Sequence, residues 1–547
     1  MAHPMHSWRL KMDKKAMIAV IVVAVVAIAA IAAFLAMNND KGGDKDENVT
    51  LIMGTIEEVG PISTTSSSFY EQRRMIVQEP LISYAANGKF VNLTAASCTT
   101  SDNITWSIKL KDDVIWCDGE PYTATDVKKT VDIYSFARPN VVANIDSVTV
   151  VDDHSLTLVL KSAASELGGV LSNMPILPWH IWKDLNVTTA DDYQKVTNAK
   201  AFYGTGPYKL SGLNATGDEI TYVYNDKYYG DKPNVTKIIL KYYGDEGAMV
   251  AALLAGEIDT IYNYGSPGVN GSYLSKIEEA KNVDYMKVST GGIPADILLN
   301  QRNAIAADYN FRMALRNAID YASIVKYVAP DTGMTPNAGL VPPTIDGFIE
   351  TAKLSKDLPK AESYMKSYFD AHGLDWSKDK VRVDIIVWQN SNPDMFKNVY
   401  TLMKEQLALI NIDLEPIDLA GKNVTVVAKD PSTVGFLWMM TDGAIKNYAG
   451  FATHYVSATG TLKFVFGDDA VDPKYEAIVD GMNAATTQAQ KDMYAKQFQE
   501  YYAENAVVIP IFWGAYVQPY SLKYDGWTCG MASGLLCYEN LFGLHKA

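Results

Sequence analysis

The stretch ITWSIKLKDDVIWCDGEPYTATDV, residues 104–127, contains the signals for a strand, two turns and the start of a helix. Its first part alternates apolar with polar residues, which is typical of a strand with one buried face. The apolar positions are Ile104, Trp106, Ile108 and Leu110. Asp112-Asp113 predicts a turn into a second short strand, Val114–Cys117, and Asp118-Gly119 predicts another turn. The stretch is therefore predicted to form a compact corner of the fold.

A helix is predicted to begin directly after this corner. Thr123 and Asp126 have the spacing of a capping box, in which two side chains satisfy backbone amides at the start of a helix. Val127, Val131 and Tyr134 follow at helical spacing and predict its buried face. The stretch contains no obvious nucleophile, metal cluster or phosphate loop, so we interpret it as scaffold.

The rest of the chain alternates predicted helices and strands. MVAALLAG, residues 249–256, predicts a small apolar helix that stops at Gly256, and EIDTIY predicts the strand that follows. Amphipathic helices are predicted over 311–325 and from Asn392 to Ile410. AVVIPIFW, residues 506–513, is nearly all apolar and predicts a strand buried on both faces. This order predicts an α/β fold with mixed sheets in more than one lobe.

Length and charge limit the class of protein. A chain of 547 residues is too long for one core, and its length predicts about three domain-sized units. Hydrophobic residues make up 48% and charged residues 20%, which is ordinary for a globular protein. The formal net charge of −15 argues against nucleic acid as a partner, because phosphate binding needs a basic surface.

The N-terminal region predicts a membrane anchor. Residues 16–37 form an uncharged apolar run of 22 residues, long enough to cross a bilayer as a helix. Four basic residues precede the run and an acidic stretch follows it, so residues 1–15 are predicted to be cytoplasmic and the rest of the chain to lie outside. Cleaved signal peptides have shorter apolar cores, which favours an uncleaved anchor over cleavage. Residues 38–47 then form a polar stalk.

Sequons and cysteines are consistent with an extracellular location. Eight Asn-x-Ser/Thr sequons predict glycosylation, at Asn48, Asn92, Asn103, Asn186, Asn214, Asn234, Asn270 and Asn423. The four cysteines fall as two local pairs, Cys98 with Cys117 and Cys529 with Cys537. An oxidising compartment permits two disulfides between them, and four buried thiols are the alternative.

Five motifs in one order resemble the family 5 solute-binding proteins, the extracytoplasmic receptors of peptide and nickel ABC importers. They are residues 104–127, GTGPYKL (204–210), ALLAGEIDTIY (252–262), FRMALRNAIDYASIV (311–325) and AVVIPIF (506–512). The resemblance extends over residues 50–547. We expect the glycines of GTGP to supply backbone angles that other residues resist, in a tight turn. Arg312 and Arg316 are candidates for ligand contact or for helix capping.

The resemblance implies a two-lobed periplasmic-binding-protein-like clamp. Lobe 1 is expected over residues 48–292, with a small subdomain inserted at about 86–200. Lobe 2 is expected over 293–508, and 509–547 return to lobe 1. Two crossings, near 291–294 and 506–510, would let the lobes close on a ligand by rigid rotation. A membrane permease would then recognise the closed form of a monomeric ectodomain.

The resemblance also implies ligand-binding residues. In peptide-binding members an Asp after a Trp in lobe 2 pairs with the α-ammonium of the peptide. Here Asp442 follows Trp438 by four residues, where the family pattern has three. Asp442 instead beginning an Asp-Gly turn is the alternative. Glu79 falls at the expected cleft edge, and Trp388 and Tyr448 are candidate aromatic walls.

Two other functions stay open at this point. Nickel-binding relatives take a metal held by small chelators, and His454, twelve residues beyond Asp442, is the single histidine candidate. An anchored extracellular hydrolase is the alternative from another class. The sequence lacks G-x-S-x-G and H-E-x-x-H motifs, so we predict a receptor for a short peptide that is not an enzyme and needs no cofactor.

Overall fold

The computed structural model describes residues 48–547 except for short internal segments. Those segments are 61, 65–68, 70–72, 86–89, 140, 165–166, 263–267, 270, 329–334, 337–338, 342–346, 351–353, 388–392, 440–464, 466–471 and 530–535. The side chains of a few further residues inside helices and strands are also outside the description. Residues 48–547 form one compact unit, and the predicted anchor, 16–37, lies outside the described residues.

The described strands are short, apart from two long ones. They are β1 (Val49–Thr55), β2 (Ile82–Tyr84), β3 (Phe90–Asn92), β4 (Ala95–Thr100), β5 (Thr105–Leu110), β6 (Ile145–Asp152), β7 (Ser155–Leu160), β8 (Tyr208–Leu213), β9 (Glu219–Tyr224), β10 (Val235–Tyr242), β11 (Thr260–Ile261), β12 (Val283–Leu299), β13 (Thr335–Pro336), β14 (Val381–Val387), β15 (Ile412–Pro416), β16 (Gly435–Met439), β17 (Val508–Ser521), β18 (Tyr524–Asp525) and β19 (His545–Lys546).

Helices alternate with these strands. They are α1 (Ala124–Ala137), α2 (Gly168–Leu171), α3 (Trp179–Trp182), α4 (Ala190–Gln194), α5 (Glu246–Leu254), α6 (Leu274–Glu279), α7 (Ala304–Ala307), α8 (Tyr309–Ala318), α9 (Tyr321–Val328), α10 (Leu358–His372), α11 (Pro393–Ala408), α12 (Val424–Lys429), α13 (Pro473–Ala484), α14 (Gln488–Asn505) and α15 (Tyr538–Gly543). A π-helical turn spans Arg73–Val77. The α/β class is confirmed.

One mixed sheet runs through the molecule in the order β15-β14-β16-β12-β17-β11-β1-β10-β9-β8, with β13 paired to β17. Its centre is the antiparallel pair β12 and β17, which stay side by side from Val283 opposite Ser521 to Leu298 opposite Val508. A separate antiparallel sheet, β4-β5-β7-β6, lies within the predicted insertion. Its Trp106 and Ile108 share a hydrophobic core with Leu51 of β1, so this sheet packs into lobe 1.

Different cores surround the two halves of the β12–β17 pair. Ala295 and Ile297 of β12 pack with Ile509 and Phe512 of β17 in one core. At the other end, Val283 and Val517 pack in a second core with Met249 of α5. Ile509, Ile511 and Phe512 therefore pack in the same core as Ala295 and Ile297, while the return of 509–547 to lobe 1 stays a prediction. The ladder shifts register between Ser289 and Pro294, opposite Ala515 and Trp513, where one core gives way to the other.

The opening stretch forms the predicted corner. Gly119 has φ +95°, as its Asp-Gly turn requires. The backbone N–H of Thr123 donates to the carboxylate of Asp126 at 2.8 Å, which completes the predicted capping box of α1. The corner also contacts the GTGPYKL motif, because the N–H of Cys117 donates to the carbonyl of Gly204 at 3.0 Å. The second strand of the prediction is reduced to one isolated bridge, between Ile115 and Pro121.

The predicted helix over 311–325 is two helices, α8 and α9. Ile319 has extended backbone angles (φ −73°, ψ 128°), which end α8. The carboxylate of Asp320 accepts the N–H of Ser323 at 3.1 Å and satisfies an amide at the start of α9. The single-helix prediction was wrong because an aspartate in an apolar pattern competes for backbone amides and favours a helix start.

Arg312 and Arg316 cap a helix from lobe 2 in this structure. The Nε of Arg312 donates to the carbonyl of Asn505 at 2.8 Å, and its Nη1 donates to that of Ala307 at 2.7 Å. Arg316 donates to the carbonyl of Ala503. Both guanidinium groups thus satisfy C-terminal carbonyls of α14, where a cation is favourable, directly before β17 begins.

The glycines of GTGP are needed for close approach. A Cβ on Gly204 would lie 1.7 Å from the carbonyl oxygen of Val77, and one on Gly206 would lie 2.7 Å from that of Ile76. Neither glycine has a positive φ. The expectation of special backbone angles was therefore wrong, and the glycines instead let two backbone segments touch.

Substitution Gly204→Ala is expected to destabilise the protein by on the order of 3 kcal/mol, since the added methyl forces the Val77 backbone away. The matched control is Gly244→Ala, because a Cβ there meets no atom within 4 Å. Urea denaturation followed by tryptophan fluorescence measures both. Equal midpoints for the two variants would contradict the close-approach argument.

Candidate functional site

The candidate site lies where β12, β16 and β17 run side by side near the junction of the lobes. Trp438 is in β16, and its backbone pairs with Asp296 of β12. Asp296 in turn lies opposite Pro510 of β17. The side chain of Asp296 is fully buried. A carboxylate inside the apolar run ADILL was a signal that the sequence analysis missed, since buried charges need partners.

The other predicted ligand residues follow two neighbouring strands. β14 and β16 are parallel, with Val387 opposite Leu437, so their carboxyl ends lie at the same edge of the sheet. Trp388 comes directly after β14, and Asp442, Tyr448 and His454 come after β16. These four residues lie outside the described residues. The strand ends that lead to them are adjacent, which is the usual location of ligands in open α/β sheets.

Glu79 is buried among tyrosines. It lies two residues after the π-helical turn, and it is fully buried. Its Oε2 accepts a hydrogen bond from Tyr229 at 2.9 Å, and its Oε1 accepts one from Tyr538 at 2.6 Å. The carboxylate was placed at a cleft edge by resemblance. In this structure it joins three distant parts of the chain, because both of its oxygens accept hydrogen bonds from tyrosine hydroxyls.

Burial raises the pKa of Glu79 to about 7, because the charged form loses its hydration. Hydrogen bonds from Tyr538 and Tyr229 and the charge of Lys111 oppose that increase. The Lys111 ammonium lies 4.7 Å from the ring centre of Tyr229. No sequence pattern indicates these tyrosines, because they are 150 and 459 positions away from Glu79.

The structure has all four cysteines as thiols, so neither predicted disulfide is formed in it. Cys98 lies on β4 opposite Ile108, while Cys117 is held against Gly204, so the two have different neighbours. Burial raises the pKa of Cys537 to about 12, and the nearby Cys529 contributes to that increase. Thiols protonated to this degree are poor nucleophiles.

The described residues contain neither a membrane-spanning helix nor a cluster of metal ligands. Within the part of the chain that the structure describes, no helix combines the length and apolarity needed to span a bilayer. Over those same ranges, no group of three or more His, Cys, Asp or Glu side chains is placed to hold a metal ion. A cavity of about 520 Å³ opens beside β5, lined by Ala96 and residues 109–113, and contains none of the predicted ligand residues.

Glu79 is expected to make stability depend on pH. Its pKa in the folded protein, about 7, lies above the unfolded value of about 4.3. Its contribution is therefore fully present below pH 4.3 and is lost as the pH rises through about 7, on the order of 3 kcal/mol in total. We expect Glu79→Gln to flatten the fall of Tm between pH 5 and 8.

The control for that measurement is Glu257→Gln, because Glu257 is exposed. Its Tm profile should follow the wild type. A Glu79→Gln profile as steep as that of the wild type would show that Glu79 does not titrate in this range.

Comparisons with known proteins support the fold. The family model for bacterial extracellular solute-binding proteins, family 5, matches residues 89–496. A Brucella ovis protein, whose name assigns it to ABC transporter peptide binding, is 26% identical over 355 residues, covering 62% of each chain. The nickel-binding periplasmic protein of Escherichia coli is 26% identical over 323 residues, 54% of this chain and 59% of that one. The chain thus spans about three fifths of the length of these curated relatives.

A solved structure shows the same fold. The oligopeptide-binding protein AppA of Bacillus subtilis, in complex with a nonapeptide, superposes with a TM-score of 0.69 at 18% identity. The superposition covers 91% of this chain and 99% of that one, which supports the two-lobed architecture. The family match extends over well over half of the sequence. The chain therefore belongs to the family 5 bacterial extracellular solute-binding proteins, which are transport receptors and not enzymes.

Proposed function

We propose that the chain is a membrane-anchored extracytoplasmic receptor that captures a short peptide by lobe closure and delivers it to an ABC permease. The observation that carries the proposal is the β12–β17 pair, in which two adjacent strands join separate hydrophobic cores. Two strands that bend together give a hinge with one main axis, which suits rigid closure of one lobe on the other.

The ligand is proposed to bind at the edge where β14 and β16 end. Trp388 follows β14 directly in the sequence, and Asp442 and Tyr448 follow β16, two strands that end at the same edge of the sheet. The α-ammonium of a peptide would neutralise Asp442, since a desolvated carboxylate needs a charged or hydrogen-bonding partner. Aromatic walls would cover the peptide without selecting its sequence.

A nickel chelate is the second candidate ligand, favoured by the E. coli relative named as nickel-binding. His454 would then provide a protein ligand, since imidazole suits nickel. The two ligands would use different side chains of the segment that follows β16. A peptide uses the charge of Asp442, whereas a chelate uses the ring nitrogen of His454.

Released ligand distinguishes the two candidates. The full-length chain, purified without denaturant, is examined by native mass spectrometry before and after mild unfolding. Short peptides in the released fraction support the peptide receptor, and a nickel-bearing species supports the chelate. A chain whose Tm is unchanged by either class of compound would contradict the proposal, because a ligand that binds only the folded state must stabilise it.

Loss of the Asp442 charge is expected to weaken peptide binding. Asp442→Asn should raise Kd for a peptide with a free amino terminus at least tenfold, and should leave Kd for its N-acetylated form unchanged. Isothermal titration calorimetry measures both values. Asp480→Asn is the control, because Asp480 is an exposed residue of α13. Equal affinities for wild type and Asp442→Asn would remove Asp442 from the site.

We also propose that residues 16–37 remain as a single-pass anchor, with the glycosylated ectodomain on the outer face of the membrane. The apolar length and the basic flank of this segment support that topology. A protease that cannot cross membranes should remove the ectodomain from intact cells and leave a short membrane-bound fragment. Full protection of the chain, or its release without protease, would contradict this topology.

A further inference from the structure

The side chain of Asn103 joins the inserted sheet of lobe 1 to lobe 2. Asn103 lies in the turn between β4 and β5. Its Nδ2 is 3.3 Å from the carbonyl oxygen of Ala485 and 3.4 Å from that of Asn483. Asn103 is only 7% exposed. The contact is therefore an enclosed polar contact between segments 380 residues apart.

The turn fixes the direction of this amide. Asn103 has φ +59°, a left-handed conformation that Asn adopts more readily than most residues. Its N–H donates to Oγ1 of Thr100 at 3.0 Å. Oδ1 of Asp102 accepts the next two backbone amides, those of Ile104 and Thr105, at 2.9 and 2.7 Å. The amide is thus oriented in advance, so the contact costs little side-chain entropy.

The acceptors are carbonyls at the C-terminal end of a helix. The last four carbonyls of an α-helix have no partner within the helix, and Asn483 belongs to the last turn of α13. Ala485 follows as the cap residue and is 3% exposed. The negative end of the helix dipole also favours a donor here. α14 begins at once, because Thr487 accepts the N–H of Gln490 in a capping box, so the corner is held in place.

The two sides of the contact belong to different cores. The strand that follows Asn103 contributes Trp106 to the core shared with β1. α13 and α14 contribute Tyr475 and Phe498 to a core that contains Leu298 and Phe436 of lobe 2. A hydrogen bond between the two therefore exists only while the lobes are together.

We propose that Asn103 is a latch for lobe closure: its amide binds the C-terminal carbonyls of α13 and holds the lobes closed. Asn103 is a positioning residue, and the proposal rests on the clamp function proposed above. The Nδ2 atom of the latch is also the atom that would carry a glycan at the Asn103 sequon. Its enclosure means that the closed form requires this sequon to be unmodified.

The test measures closure directly in the full-length chain. Dyes are attached through unnatural amino acids at Val151 of β6 and Met493 of α14, which are 65% and 44% exposed and lie on opposite sides of the contact. Single-molecule energy transfer then gives the ratio of closed to open molecules without ligand. Asn103→Gly keeps the left-handed angle and removes the amide, and we expect it to lower that ratio roughly fivefold, the scale of a lost hydrogen bond.

Two further variants make the result specific. Asn103→Asp places a carboxylate against carbonyl oxygens and should lower the ratio at least as much. Asn186→Gly is the matched control, because Asn186 is an exposed asparagine of another sequon with φ +53°. Its ratio should equal that of the wild type. An unchanged ratio in Asn103→Gly, with a Tm equal to that of the control, would overturn the proposal.

Ligand addition separates failure of the latch from failure of the receptor function. Trialanine and a nickel–histidine chelate are added to the wild type and to Asn103→Gly. If the latch is right, the variant needs a higher concentration than the wild type for the same closed fraction. If neither compound closes either protein, the proposed function fails, while the ratio measured without ligand still decides on the latch.

Discussion

The antiparallel pairing of β12 with β17 is the constraint on which the rest of the structure depends. These two strands are distant in sequence, yet their ladder runs from Val283 and Ser521 to Leu298 and Val508. Every other strand of the large sheet is added to one side or the other of this pair. Backbone hydrogen bonds hold the strands in register, while each end is buried in its own core. One continuous pair of strands thus connects two separate cores, and its register shift lies between them.

Buried polar side chains then determine how lobe 1 is assembled. Asp259 accepts the N–H of Ile52 at 2.8 Å and lies 3.4 Å from the ammonium of Lys523, which joins β1, β11 and the end of β17. Glu79 performs the same role for the tyrosines of two other segments. An unpaired buried carboxylate is costly, so each of these groups selects the one arrangement of distant segments that satisfies it.

The sequence predicted local structure better than it predicted contacts. The capping box of α1, the Asp-Gly turn and the α/β class depend on neighbouring residues and were visible in the pattern. The break between α8 and α9 was not, because the apolar residues keep helical spacing across Asp320, whose carboxylate accepts the N–H of Ser323. The role of Gly204 depends on Val77, which lies far away in sequence.

For the candidate site, the motif order indicated the family, and the structure added the parallel strands that lead to Trp388 and Asp442. The tyrosine partners of Glu79 lie in segments that carry no recognisable motif, so the residue pattern alone does not single them out. Contacts between residues that are distant in the chain cannot be predicted from a single sequence. Residues that follow the ends of predicted strands can be identified in part.

The contact of Tyr538 with Glu79 also sets an order of events during synthesis. The two residues are separated by 459 positions, and the hydroxyl of Tyr524 reaches the carbonyl of Thr50 over 474 positions. The ribosome makes residue 50 long before residue 524, at about 5–20 residues per second. Lobe 2 has almost all of its strands by then, but lobe 1 still lacks the segment that completes it. A partly synthesised chain therefore has an unfinished N-terminal part, in which Glu79 and the carbonyl of Thr50 lack these partners until residues 524–538 have been made.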